Sequence, residues 1–254
     1  MDSLPDNRIR EIHEKLVSII NNEGEILDPF SLRRFISFAE TLEGESYRML
    51  FMGLAYGAAG EHDRAIEFFQ SAVNGGDEFI AQTYLAYLSR IFRHHFHAEE
   101  AIRLAREMNS RTLCISARNA AYWQGNAELS MYFNRKAMHL TQHEGERRRL
   151  ESEAEIMNNR FERFISTSGL SQSEVAKLVS LAAAVATAKG IRISGSEFYA
   201  SPDACDAALI CFTEYPDDAS LCDLDIDIAT SIAMDDELCM KNVTAWYRND
   251  GVTA

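Results

Sequence analysis

The sequence lacks the features that mark an exported or membrane-bound protein. Its first residues, MDSLPDNRIREIHEKL, are polar and charged, without the basic start and short apolar run of a signal peptide. The most apolar segment, residues 175–188, contains Lys177 and is too short to cross a bilayer. We therefore expect a soluble, cytoplasmic protein that has no membrane partner.

The sequence also lacks several motifs of catalysis and metal binding. Its 5 cysteines are irregularly spaced and include no CxxC pair, so no zinc knuckle or redox dithiol is encoded locally. We interpret them as buried, reduced thiols that pack like small apolar side chains. There is no GxSxG, P-loop or dinucleotide fingerprint. These absences favour a protein without a cofactor.

Basic residues are scarce, most of all towards the C-terminus. The formal net charge is −14, which disfavours a direct nucleic-acid partner, because phosphate binding relies on clustered Lys and Arg. Residues 1–166 carry 25 acids and 20 bases, a net charge of −5, whereas residues 167–254 carry 14 acids and 5 bases, a net charge of −9. This change in composition predicts two domains, 1–166 and 167–254.

The segment 46–77 combines large, small and aromatic residues at fixed offsets. Small residues are expected where two antiparallel helices cross closely, aromatic residues fill the wedge towards the neighbouring hairpin, and Gly60 suits a left-handed helix end. The residues that we expect to pack this hairpin are Gly53, Tyr56, Ala65, Phe69 and Ala72. This pattern resembles a tetratricopeptide repeat.

Weaker units flank this hairpin. Residues 79–108 and 112–140 keep parts of the pattern, with Gly125 and Asn126 at the second turn, so the resemblance covers residues 46–140. In the first of these units, Tyr87 stands where glycine is typical. We expect residues 93–97 (Arg-His-His-Phe-His) to form a long connection with solvated histidines. Segments 8–20, 29–42 and 144–164 have helical apolar spacing. The resemblance implies a helical-hairpin solenoid whose concave face binds a peptide or helix.

The C-terminal domain begins with a strong helix signal. Ser171 and Glu174 form a capping box, which predicts a helix to residue 188 that ends at Lys189 and Gly190. Strands are then expected at 191–194, 207–213 and 221–228, followed by a final helix within 234–248. The overall fold class is therefore predicted as α+β, an all-α N-terminal solenoid followed by a small α+β domain.

Three aspartates alternate with apolar residues in the expected strand 221–228. On a strand, period-two alternation places Asp223, Asp225 and Asp227 on one face. We interpret this face as solvated and available to a partner, and its charges also discourage edge pairing. The alternative is a divalent-metal site, because hard cations prefer oxygen ligands.

A second resemblance sharpens the alternative. Residues 178–212 are similar to the opening of a minimal nucleotidyltransferase, with a helix, a strand, a Gly195-Ser196 pair, a loop with acids and an apolar strand. The resemblance implies that Ser196 helps to hold a phosphate. It also implies that Asp203 and Asp206, with Asp225 or Asp227, hold Mg²⁺. Ala208 stands where the family's second metal-binding aspartate is expected.

The sequence thus supports two main hypotheses. In the first, the protein is a non-enzymatic interaction protein, such as an adaptor, a chaperone or an antitoxin- or immunity-like inhibitor. Its acidic domain then binds a partner with a basic surface through Asp223, Asp225 and Asp227. In the second, it is a Mg²⁺-dependent nucleotidyltransferase-like enzyme whose repeats present a protein substrate. A homo-oligomeric scaffold is a third interpretation.

Overall fold

The computed structural model describes residues 7–22, 24–201, 203, 205–214 and 218–249, except for the side chains of residues 218 and 219. They form eleven helices and three strands, which confirms the expected α+β class. The helices are α1 (Asn7–Asn21), α2 (Pro29–Glu40), α3 (Glu45–Ala58), α4 (His62–Val73), α5 (Glu78–Arg90), α6 (His94–Glu107), α7 (Arg111–Trp123), α8 (Ala127–Leu140), α9 (Glu144–Ser168), α10 (Gln172–Ala188) and α11 (Asp218–Ala233). The strands are β1 (Ile193–Ser201), β2 (Asp206–Thr213) and β3 (Thr244–Asn249).

The chain divides into two compact units, Met1–Ile91 and Phe92–Ala254. In the part of the chain that the structure describes, no helix is long and apolar enough to cross a membrane. Residue 166, the end of the first predicted domain, lies in the last turn of α9. The boundary at 166/167 stays a prediction.

Helix starts recur at a fixed spacing along the chain. The N-caps of α3, α5, α7 and α9 are Gly44, Asp77, Ser110 and His143, each 33 residues after the one before. Within each repeat a three-residue connection, at 59–61, 91–93 or 124–126, leads to the second helix. A constant spacing of this kind is the signature of a repeat architecture.

The three connections share one local conformation. The central residue of each connection is left-handed: φ is 77° at Gly60, 58° at Phe92 and 73° at Gly125. Glycine adopts this conformation without strain, whereas Phe92 has a Cβ that disfavours it. The histidines after Phe92 belong to the first turn of α6, so the expected long connection at 93–97 is wrong.

In the unit Met1–Ile91, α3 and α4 form the central hairpin, and α1, α2 and α5 pack against α3. The fully buried side chains include Leu16 of α1, Leu50 of α3 and Ile80 of α5. The guanidinium group of Arg90 donates to the carbonyls of Ile20 at 3.3 Å and Asn21 at 2.5 Å. These carbonyls end α1 and have no partner within the helix, so Arg90 ties the end of α5 to the end of α1.

In the unit Phe92–Ala254, the three strands are ordered β1-β2-β3. β2 is antiparallel to β1 and parallel to β3. Because parallel neighbours need a crossover, the chain passes through α11 between β2 and β3. The central position of β2 agrees with its continuous apolar run, and five consecutive residues from Ala207 to Cys211 are buried.

The core of this unit joins α9 and α10 to the sheet. Phe161 and Phe164 of α9 lie with their ring centroids 5.1 Å and 5.0 Å from that of Phe198 in β1. Helix α10 begins with the predicted capping box at Ser171 and Glu174. Its buried residues Val175, Leu178, Val179, Ala182 and Ala186 face the same core.

Two predictions for the C-terminal region are wrong. Residues 221–228 belong to helix α11, and residues 244–249 form strand β3 where a final helix was expected. The buried residues Leu224, Ile228 and Ile232 recur every four residues, which is the helical period. A strand would place Ile226 on the same face as Leu224, but the side chain of Ile226 is 63% exposed.

Candidate functional site

The residues predicted to pack the first repeat lie inside the α3–α4 hairpin. Ala65, Phe69 and Ala72 are fully buried. A Cβ on Gly53 would lie 3.0 Å from the ring of Phe69, so the glycine lets the two helices approach closely. The ring of Phe69 stacks on Tyr84 of α5 with centroids 5.5 Å apart, as expected of a wedge towards the next hairpin.

Tyr56 is buried and contacts side chains of α4. Its ring stacks on Phe68 with centroids 5.2 Å apart and an interplanar angle of 2°. The guanidinium carbon of Arg64 lies 4.1 Å from the centroid of the Tyr56 ring. The Tyr56 ring therefore contacts two residues of α4 in its own hairpin, and the contact with Arg64 has cation–π geometry.

A closer contact between α3 and α5 lies at Gly57, a residue that the repeat pattern did not single out. A Cβ there would lie 2.6 Å from Cε2 of Tyr87, and the hydroxyl of Tyr87 lies 2.8 Å from Nδ1 of His62. One feature of the sequence could have indicated this contact: a large residue, Tyr87, stands where the repeat usually has glycine, and a glycine stands at position 57. The large ring on α5 fills the space that the small residue on α3 leaves.

The three aspartates of the predicted binding face lie on α11 and do not share one face. Asp223 and Asp227 are four residues apart and therefore lie on the same side of the helix. Asp225 lies on another side, where its Oδ1 accepts a hydrogen bond from the backbone N–H of Tyr247 at 2.8 Å. This hydrogen bond attaches α11 to β3. It also satisfies a backbone N–H that would have no partner on an uncovered edge strand.

Tyr247 also fixes β3 to α10. Its hydroxyl donates to the carbonyl of Ala182 at 2.6 Å, and burial raises the pKa of the phenol. Through its N–H and its hydroxyl, this residue connects α11, β3 and α10. We conclude that the carboxylate of Asp225 has a structural role.

The outer side of α11 combines acidic and apolar residues. Asp223 is exposed, Ile226 is 63% exposed, and Met234, directly after the helix, is 80% exposed. Positions 223, 226, 227, 230 and 234 follow the i, i+3, i+4 pattern of a single helix face. We call the residues Asp223, Ile226, Asp227, Thr230 and Met234 the α11 face. It contains two carboxylates and two large apolar side chains.

One lysine partly balances the α11 face. The ammonium group of Lys189 lies 3.0 Å from a carboxylate oxygen of Asp227, and the pKa of Lys189 is raised by Asp227 first and by Asp223 to a smaller degree. Both partners are largely exposed, so the pair adds little to stability. Helix α11 itself contains no Lys or Arg, and the face keeps a negative character.

The residues proposed for nucleotidyl transfer do not adopt the expected arrangement. Gly195 and Ser196 lie inside β1 and pair with Phe212 and Cys211 of β2, so the expected loop after them is wrong. Asp206 begins β2, and Asp225 and Asp227 lie on α11. Asp203 lies between the two strands. Among the described residues, no group of three or more His, Cys, Asp or Glu side chains is placed to hold a metal ion.

Two of the three histidines of α6 are not solvated as expected, whereas His95 is exposed. His94 and His97 are partly buried, and the pKa of each is lowered to about 4, mainly because burial disfavours the charged ring. The charge of Arg192 lowers the pKa of both histidines. For His94 its effect is smaller than those of burial, of the neighbouring histidines and of the hydrogen bond to the backbone of Ile191, which raises the pKa. The ring of Trp123 lies 6.4 Å from His94 and 5.5 Å from His95, between centroids.

Comparison of the chain with protein-family models, with curated proteins and with solved structures finds no match. The resemblance to tetratricopeptide repeats therefore depends on the residues and on the repeated hairpin geometry of this chain alone.

Proposed function

We propose that this chain is a non-enzymatic interaction protein that binds a partner protein with a basic surface through the α11 face. The observation that carries the proposal is the pairing of exposed apolar and acidic residues on one helix side. Ile226 and Met234 expose apolar surface whose burial in an interface is favourable. Asp223 and Asp227 favour a partner that places Lys or Arg at the rim of that interface.

The surrounding charge supports this choice of partner. Residues 218–242 contain seven acids (Asp218, Asp223, Asp225, Asp227, Asp235, Asp236 and Glu237) and one base, Lys241. A field of one sign speeds association with an oppositely charged protein and repels acidic competitors. Inhibition of a nucleic-acid-binding protein is one form of this function, because its basic cleft would accept the carboxylates.

We also propose that residues 46–140 are tetratricopeptide-like repeats. The 33-residue spacing of the caps and the shared left-handed turn residues support this proposal. The expected cytoplasmic location belongs to the same proposal. Cys114 and Cys211 are buried as expected, but the expectation of burial is wrong for Cys205, Cys222 and Cys239, which are exposed free thiols. A reducing compartment preserves such thiols.

The test begins with affinity capture of partners from the native cell, followed by measurement of the affinity of the purified partner. We expect the double variant Asp223→Lys/Asp227→Lys to weaken binding by about tenfold or more, since rim charge pairs contribute on this scale. Ile226→Ser tests the apolar part. Binding should also weaken as salt rises, because exposed charges are screened.

The matched control is Glu151→Lys, a charge reversal at an exposed position of α9. It changes the net charge of the chain without touching α11. If the control weakens binding as much as a single reversal at Asp223, only the total charge matters and the α11 face is not the binding surface. Unchanged affinity in the double variant contradicts the proposal directly.

A further inference from the structure

A cleft of about 500 Å³ lies in the unit Phe92–Ala254, between the first turn of α6, the α7–α8 turn and α10. Five of its lining residues come from the first half of α10, and the other three come from α6 and the α7–α8 turn. The eight lining residues are His95, Gln124, Asn126, Gln172, Ser173, Ala176, Val179 and Ser180. A volume of this size is typical of a ligand site.

A glycine contact brings the α7–α8 turn against α10. Gly125 has a φ of 73°, and a Cβ there would lie 2.5 Å from Cγ1 of Val175. This close approach places the neighbours of the glycine, Gln124 and Asn126, beside α10. Oδ1 of Asn126 accepts a hydrogen bond from the N–H of Leu129 at 3.0 Å and so caps α8. The turn is therefore held from both sides.

The lining is polar without being charged. None of the eight residues is Asp, Glu, Lys or Arg, in a chain in which 25% of residues are charged. The side-chain amides of Gln124 and Gln172 make no hydrogen bond to any described residue. Each such amide has donors and an acceptor, so it complements a ligand that also presents both. Phosphate and carboxylate ligands are disfavoured, because such sites use cationic groups.

The dimensions of the cleft fit a short stretch of extended chain. Along α10 the lining runs from Gln172 to Ser180, eight residues, or about 12 Å at 1.5 Å per residue. An extended peptide rises about 3.3 Å per residue, so three to four residues span this length. Ala176 is exposed on α10, so one side chain of the peptide can contact it. The ring of Trp123 packs against His94 and His95 and is not a cleft residue, which disfavours sugar stacking.

We propose that this cleft binds an uncharged, extended peptide segment of three to four residues. Gln124 and Gln172 hydrogen-bond to its main-chain amide groups, and Ala176 contacts one of its side chains. This site shares no residue with the α11 face, and it does not depend on the function proposed for that face.

The experiment uses the full chain with ¹⁵N in its Gln and Asn side chains. Three pools of N-acetylated, C-amidated hexapeptides are titrated in turn: one of uncharged residues, one rich in Asp and Glu, and one rich in Lys and Arg. We expect saturable shifts of the Gln124 and Gln172 amide signals with the uncharged pool alone. The double variant Gln124→Ala/Gln172→Ala should bind that pool at least tenfold more weakly.

Two further variants keep the result interpretable. Ala176→Arg fills the cleft from an exposed position of α10 and should also abolish the shifts, whereas Gln142→Ala, outside the cleft, should leave them unchanged. The proposal is overturned if millimolar uncharged peptide produces no saturable shift, or if the double variant binds as the wild type does. It is also overturned if the charged pools shift the same signals equally, or if a mixture of neutral oligosaccharides shifts them and peptides do not.

Discussion

Acid should destabilise the unit Phe92–Ala254 through His94 and His97, at pH values where carboxylates still play no part. Both histidines have a folded-state pKa of about 4, against 6.5 for a free histidine. Above pH 6.5 they are neutral in the folded and unfolded chains, so stability does not change with pH. Between pH 6.5 and 4 these histidines bind protons in the unfolded chain but stay neutral in the folded chain. The free energy of unfolding therefore falls as pH falls.

The size of the effect follows from the width of this window. From pH 6.5 to 5 each histidine costs up to about 2 kcal/mol, at 1.36 kcal/mol for each pH unit. Both rings keep some contact with solvent, so a total loss of about 2 to 4 kcal/mol is the reasonable expectation. Arg192 faces both histidines and lies 2.8 Å from Glu214.

Two substitutions isolate the titration. His94→Asn removes the first titrating ring but keeps a hydrogen-bond donor for the carbonyl of Ile191, to which His94 is hydrogen-bonded. His97→Gln removes the second titrating ring. Each should lower the loss of stability between pH 7.5 and 5 by about half. The assay is urea unfolding followed by tryptophan fluorescence. The 2 tryptophans of the chain, Trp123 and Trp246, both lie in this unit, so the signal reports on it.

Equal stability of the wild type at pH 7.5 and 5 would refute this reasoning. So would a double variant that keeps the full loss, since the protons would then be taken up elsewhere. Titration of the histidine ring protons by NMR gives an independent check. Two rings that titrate near 6.5 in the folded protein would contradict the proposed burial effect.

Two further predictions concern helix contacts and turns. Phe92→Gly should be more stable than Phe92→Ala by about 1 kcal/mol in the same fluorescence assay, because both variants remove the ring and only alanine keeps the left-handed strain. Arg93 is the control: its φ is −84°, so Arg93→Ala should be more stable than Arg93→Gly. If glycine is the more stable residue at both positions, or alanine at both, the strain at Phe92 is contradicted. Gly57→Ala should cost about 1 to 3 kcal/mol, since its Cβ meets the ring of Tyr87, and Tyr87→Leu should recover part of that loss. Hydrogen exchange in α3 and α5 measures this change, and unaltered protection would argue against the contact.

The helical part of the fold was largely predictable from the sequence because its signals are local. The capping box at Ser171 and Glu174 and the turn glycines Gly60 and Gly125 act within one helical turn of their own positions. Apolar spacing identified the segments of α1, α2 and α9 in the same way. The turn at Phe92 escaped prediction, because a bulky residue there gives no sign of a left-handed backbone.

The C-terminal region was predicted less well, since its local signals are ambiguous. Asp223, Asp225 and Asp227 alternate with apolar residues as on a strand, but the same stretch also places Leu224 and Ile228 four residues apart. The parallel pairing of β3 with β2 favours the helical form, because it needs a crossover. That pairing joins residues far apart in the sequence.

The sequence by itself determined the helical hairpins, the charge imbalance and the absence of common catalytic motifs, all of which depend on neighbouring residues or on composition. Only the tertiary structure decided which side chains are buried and which meet. It placed Asp225 against β3, lowered the pKa of two histidines through burial, and brought Gln124 beside α10. These outcomes depend on contacts between distant segments, and burial changes the free energy of a charged or polar group far more than its sequence neighbours do.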